Sequence, residues 1–164
     1  MMAGVKFDAT QKFDAPADMV IRCYASEELY AQLPDFERVS RPEFLDRTQQ
    51  GDSTVVRVRY RFTAPLPAAA LAIIDPEKLT WIEESTYNFT NGTAAIRLIP
   101  DHYGSKMKAS ASSRFVDDHE GSRRTVGGEL KVKVLLVAGQ VERVIVDGLT
   151  DYFAEEAAAV SRLL

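Results

Sequence analysis

The sequence predicts an α+β fold: an antiparallel sheet of six to seven strands against one long C-terminal helix, with two short helices after the first strand. Three observations carry this. Several segments alternate apolar and polar residues with a period of two, as half-buried strands do. Asn91-Gly92, between two such segments, is a strong two-residue hairpin signal. Residues 140–163 instead repeat apolar side chains every three or four positions, as an amphipathic helix does.

The elements follow in order. In residues 5–13, Val5, Phe7, Ala9, Gln11 and Phe13 share one face and Lys6, Asp8, Thr10 and Lys12 the other. Pro16 and Asp18 suit a first helical turn, where a missing N–H is harmless and an acid meets the helix dipole. The short helix runs to about Tyr24. Ser26 caps a second, which Pro34 ends. Residues 39–48 form a weak strand and residues 55–62 a strong one, with Val56, Val58, Tyr60 and Phe62 inward. The Ala- and Leu-rich residues 65–75 read as a short helical insertion. Strands follow at 78–89, 93–99, 105–116 and 124–134. Met107, Ala109, Ala111, Ser113 and Phe115 face inward on the third of these, and Val126, Gly128, Leu130, Val132 and Val134 on the fourth. On the closing helix the apolar stripe runs through Val141, Val144, Ile145, Gly148, Leu149, Tyr152, Glu156, Ala159 or Val160, and Leu163, with Glu142, Asp147, Asp151 and Glu155 mainly outside.

Composition narrows the function classes. The 164 residues suit one domain, read as 1–164, and are 46% hydrophobic and 27% charged, which excludes a disordered or collagen-like chain. The longest apolar run, residues 134–139, falls far short of a membrane span. Asp8 and Lys6 interrupt the place of a secretion signal, and the lone Cys23 suits a reducing compartment, so a cytoplasmic location is expected. A net charge of −4 argues against nucleic acid as partner. No Gly-rich phosphate loop and no cysteine pair is present, so neither a cofactor nor a metal is expected. His102 and His119 sit in hairpin turns and read as solvated turn residues.

The order of elements resembles the START-like, or helix-grip (SRPBCC), superfamily. The resemblance rests on residues 7–14 running into Pro16-Ala17-Asp18-Met19-Val20, on the middle hairpins and on residues 140–163, and covers nearly the whole chain. Leu66-Pro67 followed by Leu79-Thr80-Trp81 is most similar to a bacterial branch of the superfamily without assigned function. The resemblance implies a curved sheet that grips the helix and leaves a cavity for an apolar small molecule, such as a lipid or a polyketide-like metabolite. It brings no catalytic motif.

Within that frame some residues stand out. Glu83 shares its strand face with Leu79, Trp81, Ser85, Tyr87 and Phe89. A carboxylate on an apolar interior has a raised pKa and can anchor a ligand or move a proton; a bulge in mid-strand would instead turn it to solvent. Tyr60, Phe62, Trp81, Tyr87 and Phe115 are the inward aromatics, and Tyr152 aims a hydroxyl from the helix beside Leu149. Gly148 lies in the helix stripe, where glycine costs about 1 kcal/mol against alanine. Either a ligand takes that room, or a strand approaches closely at Gly127-Gly128. In the helix-grip strand order Lys6, Lys12, Lys106, Lys108, Arg114, Lys131 and Lys133 share one convex face, which implies at most weak contact with an anionic membrane.

Three function classes remain open: a binding protein for an apolar small molecule, with Glu83, Tyr87 or Tyr152 orienting a polar group; a cyclase- or dehydratase-type enzyme with Glu83 as acid or base; and an interaction module with a filled core. Monomer and homodimer are both compatible with the sequence.

Overall fold

The computed structural model describes residues 4–133 and 138–164. Strand β1 (Val5–Phe13) leads into helices α1 (Ala17–Tyr24) and α2 (Glu27–Gln32). Strands β2 (Glu43–Gln50) and β3 (Ser53–Arg61) follow, then the one-turn helix α3 (Ala68–Leu71) and a 3-10 turn at Pro76–Lys78. Strands β4 (Thr80–Asn88), β5 (Thr93–Pro100), β6 (Met107–Asp118) and β7 (Gly121–Val132) precede helix α4 (Ala138–Leu163). The strands form one seven-stranded antiparallel sheet in the order β1-β7-β6-β5-β4-β3-β2. This is the predicted α+β architecture, with α4 on the sheet's apolar face.

The alternation read from the sequence is realised strand by strand. On β3 every second residue from Thr54 to Tyr60 is buried, and on β4 every second residue from Trp81 to Tyr87. The hairpin between β4 and β5 turns at Gly92, whose φ is 67° and where a Cβ would stand 2.8 Å from the carbonyl oxygen of Phe115. Both facts require glycine there.

Several boundaries differ from the sequence reading. The weak strand 39–48 starts at Glu43, with Val39 making only an isolated bridge to Phe62. Pro42 lies between them and has no N–H for a ladder. Strand β4 starts at Thr80 rather than at Lys78, because Asp75 accepts a hydrogen bond from the Glu77 N–H (3.0 Å) and caps the 3-10 turn. Strand β6 starts at Met107 rather than at Ser105, since the N–H groups of Lys106 and Met107 both turn back to the Tyr103 carbonyl. Val134, expected at the end of the last strand, lies outside the described residues.

One outward assignment is corrected. Glu142, expected on the outer face of the long helix, is buried, and its carboxylate accepts the backbone N–H of Val132 at 2.9 Å. It ties the end of β7 to α4. The adjacency of β1, β7 and β6 places Lys6, Lys12, Lys108, Arg114 and Lys131 on one outer face, with Lys106 and Lys133 at its end and Asp8 and Glu129 among them. His102 and His119 are exposed. Among the described residues no helix is long and apolar enough to cross a membrane.

Candidate functional site between sheet and helix

The nine predicted site residues are all buried, those of the sheet on its inner face, with Phe115 against Tyr24 of α1. The β3–β4 register sets Tyr60 opposite Trp81 and Val58 opposite Glu83 without a break, so no bulge turns Glu83 outward. Glu83 is 4% exposed.

Aromatic rings fill most of this space. Tyr60 and Tyr152 stack with centroids 5.2 Å apart, and Trp81 meets Tyr60 edge-on at 5.4 Å. Phe62 stacks on Trp81 at 6.4 Å, and Phe36 closes on Tyr152 at 5.2 Å. Gly148 is explained by Phe62: a Cβ on Gly148 would run into that ring. Neither free room at Gly148 nor an approach to Gly127-Gly128 is the reason; Gly128 instead makes way for Phe7 and Ala111. A small void lies near the start of α4, about 10 Å³ among Trp81, Met107, Leu130 and Ile145 and their neighbours. That is about the room of one water molecule.

Further along the helix the interior turns polar. The Tyr60 hydroxyl donates to Glu83 Oε2 at 2.9 Å, and the Ser85 hydroxyl to Oε1 at 3.5 Å. On β7 Arg124 is 2% exposed. Its Nε donates to Ser113 Oγ at 2.9 Å and its Nη1 to the Tyr24 hydroxyl at 3.3 Å. The guanidinium also lies 4.2 Å from the Tyr24 ring centroid. Glu156 of α4 stands 3.8 Å from Arg124 Nη1. Phe115 joins the cluster through Tyr24, with ring centroids 5.5 Å apart.

Two buried carboxyl groups thus face one buried guanidinium. Burial raises the Glu83 pKa, and the bonds from Tyr60 and Ser85 together with the Arg124 charge partly offset it. Burial and the Glu83 charge raise Glu156 to about 8, against the pull of Arg124. Burial and their mutual repulsion thus hold both carboxyls above the ordinary range, Glu156 the more strongly placed toward its protonated form at neutral pH. Burial also pushes the Tyr60 and Tyr152 hydroxyls well up, so both stay protonated donors. The Tyr152 hydroxyl favours the charged form of Glu156 from nearby, yet neither it nor Glu156 Oε2 reaches a partner with hydrogen-bond geometry, and Trp81 Nε1 is likewise unpartnered. Such a cluster can hold a polar group of a ligand or exchange a proton with it.

Sequence reasoning missed Arg124, Glu156 and Tyr24 as site residues. Arg124 has the parity of Val126 and Leu130, and Glu156 lies in the helix stripe, so the signal was there in the pattern. Among the described residues no group of three or more His, Cys, Asp or Glu side chains could hold a metal ion.

A family model covering residues 8–164 matches the chain, described as a protein of unknown function, DUF2505. The chain belongs to the DUF2505 family. No curated protein matches it. Among solved structures, TTHA0849 from Thermus thermophilus is similar with a TM-score of 0.67 at 16% identity, over 95% of this chain and 97% of that one. The Zhui aromatase/cyclase from Streptomyces sp. R1128 gives 0.62 at 17% identity, over 98% and 96%. Norcoclaurine synthase from Thalictrum flavum gives 0.62 at 19% identity, over 98% and 87%. These likenesses show the fold: this DUF2505 chain has the helix-grip, START-like architecture that the sequence resembled, one that sets an apolar interior between sheet and helix.

Proposed function

We propose that this DUF2505 protein binds an apolar small molecule between the sheet and α4, with a hydrogen-bonding group of the ligand held by the Glu156–Arg124–Glu83 cluster. The observation that carries this reading is the set of buried polar atoms without a hydrogen-bond partner, Glu156 Oε2, Tyr152 Oη and Trp81 Nε1, on residues that pack beside apolar side chains of the sheet and α4. Each unpaired buried polar atom costs about 1–3 kcal/mol, which a ligand hydroxyl or amine would recover. Room for a ligand requires side chains between the sheet and α4 to shift, since the void beside Trp81 is about 10 Å³. The lone Cys23 is in keeping with a cytoplasmic setting.

Trp81, the single tryptophan, reports occupancy through its emission. Titration with fatty acids, sterols and aromatic polyketides is expected to give a saturable change at one ligand per chain. No response from any of them, with the mass remaining that of the bare chain, would overturn the reading. That result would favour the second one, an interaction module with a filled core, which the small void supports.

A catalytic reading draws on Glu156, whose pKa near neutrality suits proton transfer, and on the cyclase and synthase named among the structural neighbours. Replacing Glu83 or Glu156 by Gln separates the two: a binder changes affinity alone, whereas an enzyme loses turnover while it still binds.

A further inference from the structure

We infer that the parting of β5 from β6 is the entrance to the interior, and that it takes amphipathic anions: the apolar chain passes between the strands while the anionic end stays on Lys108 and Lys131. This rests on the binding role proposed above and adds to it a route and a charge class.

The route begins where the ladder ends. The β5–β6 register stops at Leu98 opposite Ala109, although β5 continues to Pro100 in register with Trp81 of β4. Pro100 has no N–H to offer β6. A surface groove of about 540 Å³ lies over this point. It is lined by Leu98, Ile99, Met107, Lys108, Ala109 and Lys131. Four residues of the groove, Leu98, Pro100, Met107 and Ala109, also line the inner void beside Trp81 and Ile145. Leu98 and Ala109 are only half-buried, while their inward neighbours Ile96 and Leu130 are each 3% exposed.

The rim sets the charge class. Lys108 and Lys131 are directly opposite on β6 and β7, and neither forms an ion pair among the described residues. Like charges so placed repel, and an anion between them relieves this. Arg97 is already engaged by Glu84 at 2.8 Å. The acid on the groove, Glu129, has its carboxylate against Gly4, just before β1. Below the rim the void beside Trp81, about 10 Å³, is lined by Leu98, Met107, Leu130 and Ile145, apolar side chains that must part around an alkyl chain.

The test uses quenching of Trp81, which is 3% exposed and lines the void beneath the groove. The probes are dibrominated stearic acid and its methyl ester. The wild type is expected to be quenched saturably by the acid and about tenfold more weakly by the ester. The double variant Lys108→Glu/Lys131→Glu should lose about tenfold in affinity for the acid, less so at high salt, with the ester unchanged. Ala109→Phe should slow quenching by both, and its circular dichroism reports whether it is folded; the lysine variant decides if it is not. Quenching of the wild type that both variants reproduce in rate and affinity would overturn the entrance and leave the binding role standing. No quenching and no bound mass in the wild type would overturn the binding role, and the entrance with it.

Discussion

Arg124 on β7 and Glu156 on α4 oppose each other at 3.8 Å, each with 2% of its side chain exposed, the one ion pair buried on both sides among the described residues. The sheet and the long helix are therefore joined through a charged contact inside an apolar interior. Removing one partner of such a pair leaves an uncompensated buried charge. Arg124→Met is expected to cost about 3–5 kcal/mol of stability. At pH 9, above the Glu156 pKa of about 8, adding Glu156→Gln should restore a large part of that loss, which urea denaturation of the two singles and the double at that pH measures. Strictly additive losses would mean that the two side chains do not act on each other.

Glu156 makes stability depend on pH. Its folded pKa of about 8 lies above the ordinary value of 4.5, so the native state binds more protons than the unfolded one between these values. The stabilisation is complete below about pH 4.5 and is lost as pH rises toward 8. The expected fall is at most about 1.4 kcal/mol per pH unit. Thermal denaturation from pH 5 to 9 should show a falling Tm in the wild type and a flatter profile in Glu156→Gln. An unchanged slope in the variant would place the titration elsewhere.

Tyr60 holds Glu83 through the 2.9 Å bond from its hydroxyl. Tyr60→Phe removes a donor to a buried carboxylate and should destabilise by about 1–3 kcal/mol at neutral pH. Because the bond favours the charged carboxylate, the cost should shrink in acid. Denaturation at two pH values reads this difference.

Gly148→Ala tests the filling of the interior. Helix propensity alone favours alanine by about 1 kcal/mol. The new Cβ meets the Phe62 ring, which is held in the stack with Trp81. A net loss of about 1–3 kcal/mol is expected, and Phe62→Leu in the same chain should reduce it. A stabilised Gly148→Ala would show free room under the helix.

Much of the fold could be read from residue order because the strands are half-buried and their parity is strict. Val56, Val58 and Tyr60, or Trp81, Glu83 and Tyr87, reveal their inner face by alternation alone, and Glu83 follows from that. Glu142 could not be read so: on the helical wheel it falls off the apolar stripe, and only the end of β7, whose Val132 N–H needs an acceptor, explains its burial. The reason for Gly148 was equally hidden, since a ring from another element decides it. Arg124 was missed because an arginine at a strand's start reads as solvated, although its parity with Val126 was plain. The parting of β5 and β6 depends on where a ladder stops, which Pro100 hints at and pattern alone does not give.

The central claim, that the interior between sheet and α4 receives an apolar small molecule, is tested most directly by native mass spectrometry of the freshly purified protein, followed by denaturing extraction. The account predicts a stoichiometric adduct, either carried from the cell or formed on adding an amphipathic anion, and its loss of affinity in Glu156→Gln when the adduct bears a hydroxyl or amine. A bare chain mass that no fatty acid, sterol or aromatic polyketide shifts would contradict it.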